Sequence, residues 1–406
     1  MTHARLLLIF AFAFTLNFSS SQVPTEPKPE QPVEKKTNWY DNLHIRGYMQ
    51  VRYNRLLETN DKLKCEQCDK SWGEDGGIFL RRMRVILYGQ ITKKIYFYLQ
   101  PDFASAASGT SLQFAQLRDA YVDIGFDNDN EFRVRLGQSK IPYGFEIMQS
   151  SQNRLPLDRS DAINSAFVNE RDLGAFFYWA PKEKRALFSS LVKDGLKGSG
   201  DYGIFAFGVF NGQTANKPEL NDNLHVVSRL TYPFEWKGQI FEPGIQAYTG
   251  KFTLPKDQIT SGIKTNANMT YMDERVGASL VMYPKPFGFQ AEYNIGKGPE
   301  YNKATDSIEV QDIKGGYVMI NYKLNLDKTV IFPFARYHYY EGGKKQEKDA
   351  RSYTVKEFEV GVEWQPNKSL EFTAMYTISD RRFEDGALKD NQQEGNLLRL
   401  QAQVNF

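Results

Sequence analysis

The sequence predicts an all-β fold, a transmembrane antiparallel β-barrel of about sixteen strands, and three observations carry that reading. Runs of roughly 9 to 14 residues alternate apolar and polar side chains with period two. Tight and long connections take turns along the chain, and most strands carry one greasy and one charged face.

The chain opens on a segment that reads as an address. Arg5 supplies positive charge, Leu6 to Phe18 form an apolar run, and Ser19, Ser20 and Ser21 offer small residues for cleavage before Gln22. About thirteen apolar residues are too few for a membrane-spanning helix, which needs about twenty. Residues 1–21 are therefore expected to be an export signal peptide. Residues 22–42 begin QVPTEPKPEQPVEKKTN, too poor in apolar side chains to offset the entropy of ordering, and are expected to be a periplasmic linker. Residues 43–406 form the barrel domain in this reading.

Candidate strands cover 43–55, 78–89, 94–103, 114–126, 131–139, 171–180, 201–212 and 221–233 in the first half. The second half adds 239–250, 271–283, 287–296, 311–324, 329–341, 353–365, 369–381 and 396–406. Tight breaks fall at 127–130 (DNDN), 235–238 (EWKG), 284–286, 325–328 (NLDK) and 365–368 (QPNK). Long polar loops fall at 56–77, 104–113, 140–170, 213–220, 251–270, 297–310, 342–352 and 382–395. Short periplasmic turns opposite long external loops are the construction of an outer-membrane barrel. Residues 181–200 break the pattern. Leu187, Leu191, Val192 and Leu196 recur there at helical spacing, which predicts a short amphipathic periplasmic helix, the alternative being an extra hairpin and eighteen strands.

Parity assigns the faces. In the first strand Ile45, Met49, Val51 and Tyr53 oppose His44, Arg46, Gln50 and Arg52; in the last, Leu398, Leu400, Ala402, Val404 and Phe406 oppose Arg399, Gln401, Gln403 and Asn405. A charged face inside a closed barrel is tolerable only if water fills it, so the mean hydropathy of −0.53 does not exclude a membrane protein. Phe126, Trp179, Tyr232, Phe234, Trp236, Tyr283, Phe287, Tyr322, Phe332 and Trp364 stand beside the tight turns, where a periplasmic aromatic girdle in contact with outer-membrane lipid is expected. The closing alternating strand with Phe406 resembles the terminal signal read by outer-membrane assembly machinery.

The same parity turns Arg46, Arg52, Arg82, Arg84, Arg133, Arg135, Arg229, Arg275, Arg336 and Arg399 inward as candidate pore-lining residues. Fixed positive charge in a narrow aqueous pore lowers the barrier to small anionic solutes, and the planar guanidinium suits phosphate or carboxylate. Asp119, Asp123, Glu242, Glu292, Glu357, Glu359, Glu363 and Glu371 also fall inward, mostly in later strands. Two arcs of unlike charge and a transverse field are one expectation; a wall of neutralised pairs is the other.

LGQSKIPYGFE at Leu136–Glu146 resembles the Gly-Gln-x-Lys-x-Pro-x-Gly signature of the phosphate-selective porin O and P family, supported by NERDLG at Asn169–Gly174 and GVFNG at Gly208–Gly212. The resemblance implies a sixteen-stranded homotrimeric porin whose long third loop folds inward to narrow the pore. It implies constriction roles for Lys140 and Arg171, and places Arg154 and Arg159 between them on the loop. Residues 251–270 offer only the scattered Lys251, Lys256 and Lys264 where phosphate-specific members carry a lysine cluster.

Other chemistry is thin. Cys65 and Cys68 form a Cys-x-x-Cys in the first external loop, where a local disulfide is expected and zinc would need two more ligands. His44, His225 and His338 sit on inward faces, against the lipid-facing Ser-His pair an outer-membrane esterase needs. With 51 basic and 49 acidic residues, net +2 and no basic tract, nucleic acid is not an expected partner; no metal, cofactor or catalytic residue is expected either. A weakly selective general porin and a surface adhesin barrel are the alternatives to an anion channel.

Overall fold

The computed structural model describes residues 38–58, 77–105 and 114–406; the export segment, most of the linker, and Cys65 with Cys68 lie outside the described residues. Residues Trp39–Phe406 form one compact unit. Its strands are β1 (Leu43–Glu58), β2 (Gly77–Thr92), β3 (Ile95–Ser105), β4 (Phe114–Gly125), β5 (Phe132–Lys140), β6 (Arg171–Trp179) and β7 (Phe205–Phe210). There follow β8 (His225–Thr231, continued by Phe234–Trp236), β9 (Gln239–Thr253), β10 (Thr270–Met282), β11 (Phe287–Asn302) and β12 (Ser307–Tyr322, continued by Leu324–Leu326). The last four are β13 (Thr329–Gly343), β14 (Ser352–Asn367), β15 (Leu370–Glu384) and β16 (Gln392–Asn405). Pro233, which lacks an N–H, interrupts β8; both halves of β8 pair with β9, and both halves of β12 with β13, so the barrel has sixteen staves.

Each strand pairs antiparallel with its sequence neighbours, and β1 also pairs with β16, aligning Tyr48 with Asn405 and Tyr53 with Leu400. The Gly47 N–H donates to the Phe406 carbonyl at 2.7 Å and the Phe406 N–H returns to Gly47 at 3.0 Å. A Cβ on Gly47 would stand 2.6 Å from the Phe406 ring, so glycine is what lets the seam close there. Closure leaves no edge, the condition for β-structure in hydrocarbon.

The outward face is apolar: Ile45, Ile78, Ile245, Val276, Ile295 and Val360 are all exposed. At the turns Phe126, Tyr232, Phe234, Trp236, Phe287, Tyr322 and Trp364 are exposed as a girdle requires, but Tyr283 and Phe332 are buried. Both share the inward parity of their strands, Tyr283 following Arg275 and Val281, Phe332 preceding Phe334 and Arg336; parity overrides position beside a turn.

Two β-bulges alter the inward set. Opposite β1 the register steps from Arg82 to Leu80, so Arg81 is the extra residue of the bulge beside Arg82. Opposite β3 it steps from Asp119 to Leu117 at Pro101, leaving Arg118 unpaired. The extra residue disrupts alternation, so Arg118 and Asp119 are both buried although adjacent, and Arg81 reaches Asp158 of the loop inside the barrel at 3.4 Å.

The third loop carries two single-turn helices, α1 (Phe145–Met148) and α2 (Asp161–Asn164). The predicted periplasmic helix is present as α3 (Lys182–Lys193). Phe188 and Leu191 face a cluster with Phe145, Ile204, Ile240, Val281 and Tyr283. Strand β7 is shorter than expected, flanked by the left-handed Gly203 at φ 74° and Gly212 at φ 95°, and β8 begins at His225, four residues later than expected.

Candidate pore constriction

Strands β5 and β6 pair Lys140 with Arg171, and residues 141–170 between them turn into the barrel. The reason is apolar. Ile141, Tyr143, Ile147, Leu155, Leu157, Ile163 and Phe167 share one buried cluster with inward-facing Phe176, Phe210, Val227, Tyr248, Tyr317, Phe332, Phe334 and Met375 of the wall. These wall residues occupy parity positions that a simple porin lining would fill with polar groups; each large apolar side chain so buried contributes about 1.5–3 kcal/mol.

Polar anchors fix the loop's register. Asp158 accepts from Arg52 of β1 and Arg399 of β16, each at 2.9 Å. Glu146 pairs with Arg336 of β13 at 2.7 Å, and Asp161 with Arg381 of β15 at 2.9 Å and with Lys344. Arg275 of β10 and Asn294 of β11 donate to the Ala162 carbonyl at 3.0 and 3.2 Å. The Glu292 carboxylate accepts the backbone N–H groups of Phe145 and Glu146, both at 2.7 Å. At the loop's end Glu170 meets Arg118 at 3.1 Å and also pairs with Arg159 and Arg171. Burial by itself would raise the Glu170 carboxyl, yet Arg159, Arg171 and Arg118 hold it well below the usual carboxylate range. Against the same burial penalty Arg52, Arg81 and Arg399 hold Asp158 below it too.

Apart from Arg118, the strand anchors lie on β1, β6, β10, β11, β13, β15 and β16, while the β2–β5 arc touches the loop through Arg81, Arg84, Arg118 and Lys140. On the periplasmic side a cavity of about 390 Å³ remains between β2–β5 and α3.

The four loop candidates behave differently. The Lys140 ammonium donates to the Met148 carbonyl at 2.7 Å, and Arg171 holds Asp119 at 2.9 Å. Arg159 donates to the Glu146 and Gln149 carbonyls at 2.8 and 3.0 Å, stapling the loop to itself. Arg154 donates only to the Pro156 and Leu157 carbonyls, at 3.0 and 3.1 Å, and meets no carboxylate among the described residues.

Of the ten lining candidates, all but Arg46 are buried; Arg46 is half-buried over the Tyr88 ring at 5.5 Å. Arg84 holds Asp102 at 2.8 Å, Arg133 holds Asp201 at 2.9 Å, Arg135 grips Asp123 through two bonds of 2.7 and 2.8 Å, and Arg229 holds Glu242 at 2.8 Å. Arg336 holds Glu359 at 2.6 Å and Arg399 the same carboxylate at 3.0 Å. Carboxylates thus stand one or two strands from their arginines, on the loop, or on the connection between α3 and β7, and the expected separation of charge onto two arcs is cancelled at close range. Arg82 departs from this: its bond is to the Gln50 side-chain oxygen at 2.7 Å, and Arg81, Arg84, Arg154 and Arg52 all repel it. Arg275 is bonded to neutral oxygens of Ala162, Ser165 and Asn294. His225 and His338 are buried inward and pair with Asp273 and Glu357, at 3.2 and 2.7 Å, while His44 is exposed at the start of β1.

Sequence reasoning missed Arg81 and Arg118, hidden by bulges, and the loop carboxylates Glu146, Asp158, Asp161 and Glu170. Lys345, from the connection after β13, is buried against Asp273 and the rings of Phe167, Tyr248 and Phe252.

The family model for phosphate-selective porin O and P matches residues 64–406. Among solved structures, the outer membrane channel DcaP of Acinetobacter baumannii is similar at a TM-score of 0.58 and 12% identity, over 90% of this chain and 97% of that one. The anion-selective porin from Comamonas acidovorans aligns at 0.52 and 10%, over 90% and 99%. OmpT of Vibrio cholerae in its trimer form aligns at 0.51 and 12%, over 90% and 99%. No curated protein matches the chain in sequence. A closed sixteen-stranded barrel with an infolded third loop, matched over most of its length by one family model, makes this chain a member of the phosphate-selective porin O and P family and a channel of the bacterial outer membrane.

Proposed function

We propose that the channel prefers small anions, phosphate or other small oxyanions and carboxylates, and that its selectivity is set where loop 3 meets β1 and β2. One observation carries this. Arg82 and Arg154 are both buried, neither meets a carboxylate among the described residues, and Arg81, Arg84 and Arg52 crowd the same region. Buried guanidinium groups not directly paired with a carboxylate are costly, and a passing anion relieves that cost while a cation raises it. Arg171 and Lys140, already engaged by Asp119 and Met148, are proposed to shape the constriction and add to its field.

The neutralised pairs along the rest of the wall favour a second reading, a general porin of weak selectivity. Reversal potential under a salt gradient in a planar bilayer, followed by phosphate titration of the single-channel current, separates the two. Anion selectivity with phosphate block supports the first; no selectivity and no block supports the second. The trimer form of the Vibrio cholerae neighbour supports a homotrimer for this chain also, and the apolar run Leu6–Phe18 supports residues 1–21 as a cleaved export signal.

A further inference from the structure

We infer that the chamber beneath loop 3, between β2–β5 and α3, is a second binding site, one that takes a small aromatic carboxylate on the periplasmic side of the constriction. The inference rests on the anion-channel reading and adds to it a ligand class and a place.

Lys94, Arg133, Arg135 and Arg185 line the chamber with two carboxylates, Asp123 and Asp201, so cations exceed anions four to two. Both carboxylates are committed. Asp123 is held through two bonds by Arg135, and Asp201 accepts from Arg133 and Arg185, each at 2.9 Å. Arg135 is immobilised further, its guanidinium lying 3.8 Å from the Tyr121 ring centre and 5.2 Å from that of Tyr178. It acts as a fixed positive plate rather than as a free donor.

The free donor is on Arg133. This residue is 3% exposed, and its Nη1 is buried with no hydrogen-bond partner. A buried guanidinium N–H beside a water-accessible chamber calls for an acceptor, and one carboxylate oxygen supplies it. Lys94, whose ammonium donates to the Phe126 carbonyl at 3.1 Å, adds charge from the rim.

The rest of the lining argues against a bare inorganic ion. Tyr96 and Tyr121 line the chamber, Tyr121 with its ring already packed by Arg135 and Tyr98, and the chamber volume of about 390 Å³ exceeds what one small oxyanion needs. Phosphate is best held by several donors converging on one point; here the unpartnered Nη1 is on Arg133, whose Nε lies 4.0 Å from Asp123 and whose guanidinium lies 5.4 Å from the Tyr178 ring centre, beside ring surface. A benzoate-like molecule matches both, its carboxylate on Arg133 and its ring against the tyrosines.

The test uses the full-length protein in a planar bilayer in potassium chloride, with benzoate, acetate or phosphate added on the periplasmic side. Benzoate is expected to block the current at a concentration at least tenfold below acetate, and Arg133→Gln and Tyr96→Leu are each expected to weaken that block about tenfold. Chloride conductance reports that a variant has folded and inserted, and the second variant serves if the first does not insert. Equal block by benzoate and acetate, or block unchanged in an inserted variant, overturns the inference. Anion-selective reversal potential with phosphate block but no benzoate block removes this site and leaves the anion-channel reading intact; a reversal potential without anion preference overturns the anion-channel reading, and the inference with it, while the channel itself stands.

Discussion

Replacing Asp158 with Asn keeps the shape of the side chain and removes the charge that ties loop 3 to the first and last strands. The carboxylate serves Arg52 and Arg399 at 2.9 Å each and Arg81 at 3.4 Å. Removing one partner of a buried ion pair costs about 3–5 kcal/mol. The lower end applies here, since Arg399 keeps Glu359 and Thr377, Arg52 keeps Gln401 and the Leu157 carbonyl, and Arg81 is partly exposed. About 3 kcal/mol is more than a hundredfold in the equilibrium between seated and lifted loop. The rest of the loop stays anchored by Glu146 on Arg336 and Asp161 on Arg381, so the motion is confined to the segment around Ser151–Asp158. The expected single-channel record of Asp158→Asn shows a larger mean conductance, new flicker, and a reversal potential shifted further toward anions because one negative charge has left the lumen. A record with wild-type amplitude and noise would refute the assignment of Asp158 as the loop's tether.

Arg82→Gln removes a buried cation whose hydrogen bond among the described residues is to the neutral Gln50, so reversal potential is expected to move toward cations while the channel still inserts; an unchanged potential rules it out as a selectivity residue. Phe167→Ala, which deletes a ring packed on Tyr143, Phe210 and Tyr248 at 4.7–5.6 Å, is expected to cost about 3–5 kcal/mol and show as current noise in an otherwise intact barrel. Asp158 and Glu170 have depressed native pKa values, so their stabilisation is complete above the unfolded carboxylate value of about 4 and is lost only as pH falls through the lower native values. The difference in conductance between wild type and Asp158→Asn should therefore hold steady from about pH 7 to about pH 4 and shrink below that; loss of that difference near pH 5 contradicts the pairing.

How far the sequence speaks depends on which rule governs each residue. Alternation is a local rule, and where it alone operates the strands, their faces and the inward arginines are legible, down to α3 in the place of a turn. Bulges break that rule through a partner strand. Arg118 turns inward because it is the extra residue where the register steps from Asp119 opposite Gln100 to Leu117 opposite Pro101, and no pattern within residues 114–125 announces this. Tyr283 and Phe332 show the opposite failure, since their parity was readable and the expectation of a girdle displaced it. The deeper gap concerns the loop. Phe176, Phe210, Tyr248 and Phe334 on the polar parity face were a readable sign that something apolar fills the lumen. The partners of Glu146, Asp158 and Asp161 lie on strands nearly two hundred or more residues further along, or a hundred back, and only the closed cylinder brings them together.

The seam between β1 and β16 bears on how the molecule comes into being. Pairing Tyr48 with Asn405 joins the two ends of the strand order, so it carries the greatest loop-closure entropy of any ladder in the sheet. Until it forms, two open edges seek partners, and in hydrocarbon each unsatisfied N–H or carbonyl is expensive. Assembly is thereby drawn toward an all-or-none final step in which Phe406 reaches Gly47. A side chain at position 47 would obstruct that step, slowing insertion before it altered conduction.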